Sequence, residues 1–212
     1  MANWIAQRNE LLGKAVIANL AKRNMEGYYC ATKEEALQKA LELIPETDVV
    51  TWGGSVSIDE IGLLAAVKER NPVIDRDTAA TMKEKVEMMR KGLTCDTFLM
   101  STNAMSEDGI LVNIDGNGNR VASLIFGPKQ VVIIAGVNKI TKDLDSAIAR
   151  ARGTAAPVNA QRFAGIRVPC AATGVCANCN SPDCMCCQVV VTRHSRQAGR
   201  IKVILVGESL GF

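Results

Sequence analysis

Six of the eight cysteines lie within eighteen residues: Cys170, Cys176, Cys179, Cys184, Cys186 and Cys187, in the segment PCAATGVCANCNSPDCMCC. The residues between them are largely Gly, Asn, Ser, Pro and Ala, types that turn the chain and let several thiolates converge. Four such sulfurs are enough to hold a zinc ion or an iron-sulfur cluster, and ligand type alone does not separate the two. The compartment decides between ligands and disulfides. The opening stretch MANWIAQRNELLGKAVIANLAKRN lacks a basic region followed by an unbroken apolar one, and no run of eighteen apolar residues occurs elsewhere. Neither a secretory signal nor a membrane span is therefore expected, and the chain is assigned to the cytoplasm, where thiols stay reduced. Cys30 and Cys95, in apolar surroundings, read as small core residues.

A second candidate for chemistry is Gly53-Gly54-Ser55, placed where a strand hands over to a helix. Glycine backbones at the carboxyl end of a parallel strand can cradle a carboxylate or phosphate. Ser57 as N-cap with Glu60 three residues on would instead satisfy that helix end internally, and Asp59 and Glu60 would repel an anion. The turn is neither a P-loop nor a GxGxxG fingerprint, so no nucleotide is implied. Thr102, Asn103, Asp108 and Asn113 could orient a hydroxyl or carboxylate, although Asn and Asp also satisfy their own turns. Lys139, just after an apolar strand, could counter a substrate carboxylate. His194 is the only histidine and has no serine or cysteine elbow near it, which argues against a hydrolase.

The elements that must position these residues follow from periodicity. Trp4, Ile5, Leu11, Leu12, Val16, Ile17 and Leu20 recur at helical spacing and predict a helix over 3–24. A short segment at 28–31 and a helix over 33–43 precede a strand over 48–52. A helix over 58–70, a short strand at 73–75 and a helix over 81–91 come next. The strand, glycine turn, helix, strand order predicts a parallel α/β layer. Residues 95–100 predict a strand, and 110–114 with 121–125 predict a hairpin about Asp115-Gly-Asn-Gly-Asn119. Residues 131–135 predict a central strand and 143–150 a helix. Residues 188–192 and 201–206 predict a terminal hairpin with a basic connection, Arg193 to Lys202, read as solvated. One domain over 1–212 with a cysteine-rich loop over 169–187 is the simplest organisation. A chain of 212 residues can bury a core without a metal staple. A net charge of +3 and few aromatics give little support for nucleic-acid binding.

Several of these stretches taken together resemble a known family. Trp52-Gly-Gly-Ser-Val-Ser-Ile-Asp-Glu-Ile-Gly-Leu63, Asn103-Ala-Met-Ser-Glu-Asp-Gly-Ile-Leu-Val-Asn113, Asp115-Gly-Asn-Gly-Asn-Arg120, Phe126-Gly-Pro128 and Gly136-Val-Asn-Lys139 occur in the order found in the LUD (lactate utilization) domain family. The resemblance spans nearly the whole chain. It implies a three-layer α/β fold of the NagB/RpiA/CoA-transferase type, with a mostly parallel sheet and a β-hairpin. It also implies a pocket at strand ends for carboxylates, sugar phosphates or CoA thioesters. Mapped here, that pocket comprises Gly53, Gly54, Ser55, Asn103, Asp108, Asn113 and Lys139. Members with a terminal cysteine segment resemble Cys-x5-Cys-x2-Cys-x6-Cys, which picks out Cys170, Cys176, Cys179 and Cys186 and leaves Cys184 and Cys187 as extra thiols.

Some relatives take part in oxidising lactate to pyruvate within iron-sulfur-dependent systems, so the resemblance favours a 4Fe-4S cluster over zinc. Oxidising a 2-hydroxy acid removes two electrons, whereas one such cluster passes one at a time, and no flavin or Rossmann motif is present. The expected role is an electron-transfer or substrate-binding component working with iron-sulfur or flavin partner proteins; a homo-oligomer is left open. The alternatives are a small-molecule binding or regulatory module with structural zinc, and an acyl- or CoA-transferring enzyme using Glu107 or Asp108 as nucleophile.

Overall fold

The apolar run Gln130–Gly136 (β6) is buried along its whole length and sits at the centre of a five-stranded sheet. Its neighbours are Thr97–Met100 (β3) and Ile201–Val206 (β9), with Val50–Trp52 (β2) and Glu26–Cys30 (β1) at the edges, and every pairing is parallel. A strand with neighbours on both edges and cores on both faces must be apolar at successive positions, which is why β6 reads as an unbroken run. Its side chains alternate between the two cores. Val131, Ile133 and Ala135 meet Val16 and Leu20 of the first helix, Trp4–Lys22 (α1). Val132 and Ile134 meet Ala36 and Ala40 of Lys33–Leu43 (α2), Ile58 of Val56–Glu60 (α3) and Val67 of Leu63–Arg70 (α4). The computed structural model describes residues 3–212, so residues 1 and 2 of the expected 1–212 unit lie outside it.

A second, four-stranded sheet packs onto the α1 side through Met105 and Leu111. It holds Ala104–Ser106 (β4), Leu111–Asp115 (β5), Ile140–Thr141 (β7) and Gln188–Thr192 (β8), with β5 antiparallel to both β4 and β8. Its outer face is covered by Leu144–Arg150 (α7), whose Ala147 packs on Val112 and Ile114. The chain continues from α7 through one π-helical turn, Ala151–Ala155, into Ala156–Ala160 (α8). Pro157 explains the wide turn: it has no N–H to donate and its ring crowds the preceding turn.

Four expectations are corrected. Residues 121–125 belong to the helix Asn119–Ile125 (α6) after Met82–Lys91 (α5), not to a hairpin strand. The Asp115 carboxylate accepts from the backbone N–H of Arg120 and Val121, and Gly118 sits at φ +78°, so the glycine-rich turn starts a helix. The expected helix over 58–70 breaks at Gly62, φ +74°, into α3 and α4. Residues 188–192 and 201–206 do not pair with each other; β8 joins β5 in the second sheet and β9 lies between β1 and β6 in the first. Residues 73–75 form only an isolated bridge, Val73 to Val50. Helix α1 also departs from a simple amphipathic reading, since Trp4, Ile5 and Leu11 on its first half are exposed.

Gly136 ends β6 under the chain's last residues. A Cβ there would lie 2.5 Å from the Leu210 nitrogen and 2.6 Å from the Glu208 carbonyl oxygen, both backbone atoms. Gly136→Ala is expected to cost about 2–3 kcal/mol in urea unfolding, because backbone on both sides cannot rotate away.

Candidate functional site

The parallel strands of the first sheet all end on one side, and a cleft of about 640 Å³ opens there. Its walls are Gly54 to Ser57 after β2, Ser101 to Asn103 after β3, Lys139 after β6, and Gly211-Phe212 after β9. The second sheet adds Ile114 and Asp115 from the end of β5. Carboxyl ends of parallel strands are where open α/β sheets collect ligands, because the backbone there turns away and leaves room.

Arg120 fixes this corner. Its guanidinium donates to the Ser101 carbonyl at 3.0 Å and the Asn113 Oδ1 at 3.0 Å, and to Asn103 Oδ1 at 2.9 Å and the Ile114 carbonyl at 2.6 Å. Asp115 lies 4.0 Å from its Nε, the one carboxylate near this buried charge. The side chain passes directly over the glycine turn: a Cβ on Gly53 would lie 2.8 Å from its Cδ, and one on Gly54 3.2 Å from an Arg76 nitrogen. The glycines are small because two arginines cross them.

The turn works differently from the capping box expected of Ser57 and Glu60. Ser55 occupies the N-cap position without a side-chain bond, Ser57 Oγ is buried without a partner, and Glu60 accepts from the Gly211 N–H at 3.0 Å. Helix α3 is a single short turn, so its dipole contributes little. Positive charge comes from side chains instead: Arg76, Lys85, Arg120, Lys139 and Arg162 line the cleft against Asp77, Asp115 and Asp183. All three acids are engaged by cations, Asp77 by Lys85 at 2.9 Å and more loosely by Arg76 Nε at 4.0 Å, Asp183 by Arg167 at 3.1 Å, and Asp115 by Arg120 at 4.0 Å. Arg76 Nε and the hydroxyls of Ser55 and Ser57 are buried without partners. Together they offer an anion several unclaimed hydrogen bonds. Burial, reinforced by Arg150 and Arg120 and opposed by Glu60, brings the Lys139 amine down from its ordinary 10.5 to about 7.

Of the residues singled out from sequence, Gly54, Ser55, Asn103 and Lys139 line the cleft, and Gly53 and Asn113 stand behind it against Arg120. Asp108 does not join them; it caps the β4–β5 turn, bonded to Ser106 Oγ and paired with Arg23. The fold adds Arg76, Arg120, Arg162 and Ser57 to the cleft. Arg76 comes from a 3₁₀ turn, Arg162 from the turn after α8 and Arg120 from the start of α6, while Ser57 sits two residues past Ser55.

The cysteine segment reaches the same cleft. Asp115 pairs with Gln188 in the β5–β8 register, so the residues just before Gln188 are delivered to the cleft rim, where Cys184, Met185 and Cys187 line it. Pro169–Thr173 (α9) begins the segment, tied to α8 by Gln161, which donates to the carbonyls of Cys170 and Ala171, each at 3.3 Å. Cys186 turns inward and packs on the α7 core. Burial, with the neighbouring thiols of Cys184, Cys176 and Cys170, pushes the Cys186 thiol up to about 12. All six cysteines of the segment are free thiols, and among the described residues no three His, Cys, Asp or Glu groups already converge as a metal-ion site.

The LUD domain model matches residues 13–206. The chain belongs to the LUD domain family. This LUD protein is also similar to the crystal structure of a DUF162 family protein from Deinococcus radiodurans, with a TM-score of 0.53 and 11% identity, covering 93% of this chain and 98% of that one. At such identity the likeness speaks for a shared mixed α/β fold alone. No curated protein matches the chain. Among the described residues no helix is long and apolar enough to cross a membrane.

Two outcomes test the site. Arg120→Lys keeps a cation but not the planar fork that reaches four acceptors, and should lower unfolding stability by about 2–4 kcal/mol. For Lys139, the unfolded chain holds the extra proton between pH 7 and 10.5 while the folded chain does not. Stability from this group therefore rises with pH through that window and is flat below it. Urea unfolding of wild type against Lys139→Met should show this slope in the wild type only.

Proposed function

We propose that this LUD protein binds a small carboxylate, a 2-hydroxy or 2-oxo acid, in the strand-end cleft beside a cysteine-held metal centre, as one component of an electron-transferring system. The observation that carries the reading is that the cysteine segment reaches the cleft of Arg76, Lys139 and the unpartnered hydroxyls of Ser55 and Ser57 through Cys184, Met185 and Cys187, which flank Cys186 of the proposed ligand set in sequence. The two-sheet arrangement with a ligand at the carboxyl strand ends is taken as NagB/RpiA/CoA-transferase-like.

The donor set fits a metal. Burial first, and then the neighbouring thiols of Cys184, Cys176 and Cys170, raise the Cys186 pKa, and a bound cation would bring it down again. Cys170, Cys176, Cys179 and Cys186 would hold a 4Fe-4S cluster, with zinc the alternative for the same thiolates. When bound, the cluster supplies one-electron transfer. The chain's own residues do the rest: Arg76 and Lys139 draw in the carboxylate, Ser55 and Ser57 donate to it, and Arg120 holds the strand ends at fixed spacing. A two-electron oxidation then needs a further carrier, supplied by an iron-sulfur or flavin partner.

Protein purified without oxygen should carry about four irons and four acid-labile sulfides per chain, lost in Cys176→Ser/Cys179→Ser. Stoichiometric zinc without sulfide would sink the electron-transfer half and leave a carboxylate-binding module with a structural metal. Calorimetry should show lactate or pyruvate binding that weakens about tenfold or more in Arg76→Met, the loss of one charge-assisted hydrogen bond. Unchanged affinity in that variant would remove the cleft from the reading.

A further inference from the structure

Two thiols of the cysteine segment fall outside the proposed ligand set, and those two face the cleft. Cys184 and Cys187 both line it, at the spacing Cys-x2-Cys. The chain that carries them is fixed from both sides. Cys184 closes a turn by donating its N–H to the Ser181 carbonyl at 2.9 Å, and Cys187 immediately precedes Gln188, the first ladder residue of β8. Between them Met185 lies with its backbone on Gly116, where a Cβ would come within 3.3 Å of the Met185 Cα, and with its sulfur accepting from Asn159 at 3.6 Å. Cys186 turns inward onto the α7 core. The two flanking thiols are thereby presented on one wall, and the Cys187 Sγ already reaches back to donate to the Cys184 carbonyl at 3.2 Å. A segment bent and pinned in this way loses little further freedom when its ends are joined. The surroundings suit thiol exchange. Cys30 and Cys95 are buried in the core, whereas Cys187 is exposed and Cys184 half-buried. Arg76, Lys85 and Arg162 line the same cleft, and electropositive, partly exposed places are where reactive thiols occur.

We propose that Cys184 and Cys187 form a reversible dithiol–disulfide pair on the cleft wall, exchanging with an external disulfide. The proposal goes beyond the ligand reading of the segment and rests on it only for leaving these two residues out. Cys187, the exposed thiol, attacks one sulfur of the external disulfide; that S–S bond breaks, and the departing sulfur leaves as a thiol with the Cys187 proton. Cys184 then attacks the Cys187 sulfur of the mixed disulfide, and the second external thiol leaves with the Cys184 proton. Two protein thiols are oxidised to one disulfide and one external disulfide is reduced to two thiols, so no other reactant is required. The pair holds two electrons at once, whereas a single cluster passes one.

The test treats the full chain, purified without oxygen, with glutathione disulfide, then denatures it and alkylates it with N-ethylmaleimide. Cleavage before Asp183 puts Cys184, Cys186 and Cys187 on one peptide and Cys170, Cys176 and Cys179 on another. Iron, sulfide and zinc are measured on the same sample before and after oxidation. The expected result is a peptide from Asp183 onward that carries one maleimide, located on Cys186 by fragmentation, is not linked to the other peptide, and takes three after dithiothreitol. Metal content should be unchanged. In Cys184→Ser, glutathione should stay trapped on Cys187, because the thiol that would displace it is gone. A link between the two peptides, a maleimide on Cys184 or Cys187 after oxidation, or a Cys187 free of glutathione in that variant overturns the pair. Metal lost on oxidation makes these thiols ligands, which overturns the pair and leaves the metal reading standing. The pair formed in a chain that holds no metal upholds it and removes the metal centre, so the two readings fail separately.

Discussion

One half-buried guanidinium joins the two sheets at the point where the cleft opens. Arg120 takes its acceptors from the end of β3 in the first sheet, from β5 in the second and from the connection between them. Such a cation, half-buried at the cleft wall, is tolerable because its guanidinium finds four oxygen acceptors and Asp115 stands nearby. Much of the local sequence follows from accommodating it. Gly53 must be small beneath its Cδ, Asn103 and Asn113 must present oxygens to it, and the glycine-rich turn must launch α6 where the side chain can reach across.

The glycine turn changes meaning in this light. At the end of a parallel strand, two glycines and a serine suggest a backbone cradle for an anion. Here the backbone is covered by Arg120 and Arg76, and the following helix is a single turn, so the attraction for anions is carried by side chains. The difference matters chemically: side-chain cations and hydroxyls can be removed one at a time by substitution, whereas a backbone cradle cannot.

Strong periodicity and local capping made much of the fold legible. The 33–43 helix, the 81–91 helix with its Thr81 cap, and the buried β6 run are all readable without tertiary information. The failures share a cause, namely that pairing partners are not local. Residues 121–125 are apolar enough for a strand, and only the Asp115 carboxylate capping the next turn makes them a helix. Residues 188–192 and 201–206 look like two arms of a hairpin, yet each finds its partner in a different sheet. The site was legible to the same degree. Lys139 and the glycine turn announce themselves at strand ends, whereas Arg76 and Arg162 become neighbours only through the fold, and Asp108, plausible by type, is spent on a turn and on Arg23.

The cysteine segment is anchored at both ends and lends Cys184, Met185 and Cys187 to the cleft wall. At one end α9 hangs from Gln161 of the preceding helix; at the other, β8 is zipped to β5 up to Gln188. Between these anchors the segment touches the body at Cys186, which packs on the α7 core, at Met185, which accepts from Asn159, and at Asp183, which accepts from Arg167. The cleft is thus built by two parts of the chain at once, the strand ends and the thiol-bearing segment, so a change of length in the segment would be felt at the cleft wall.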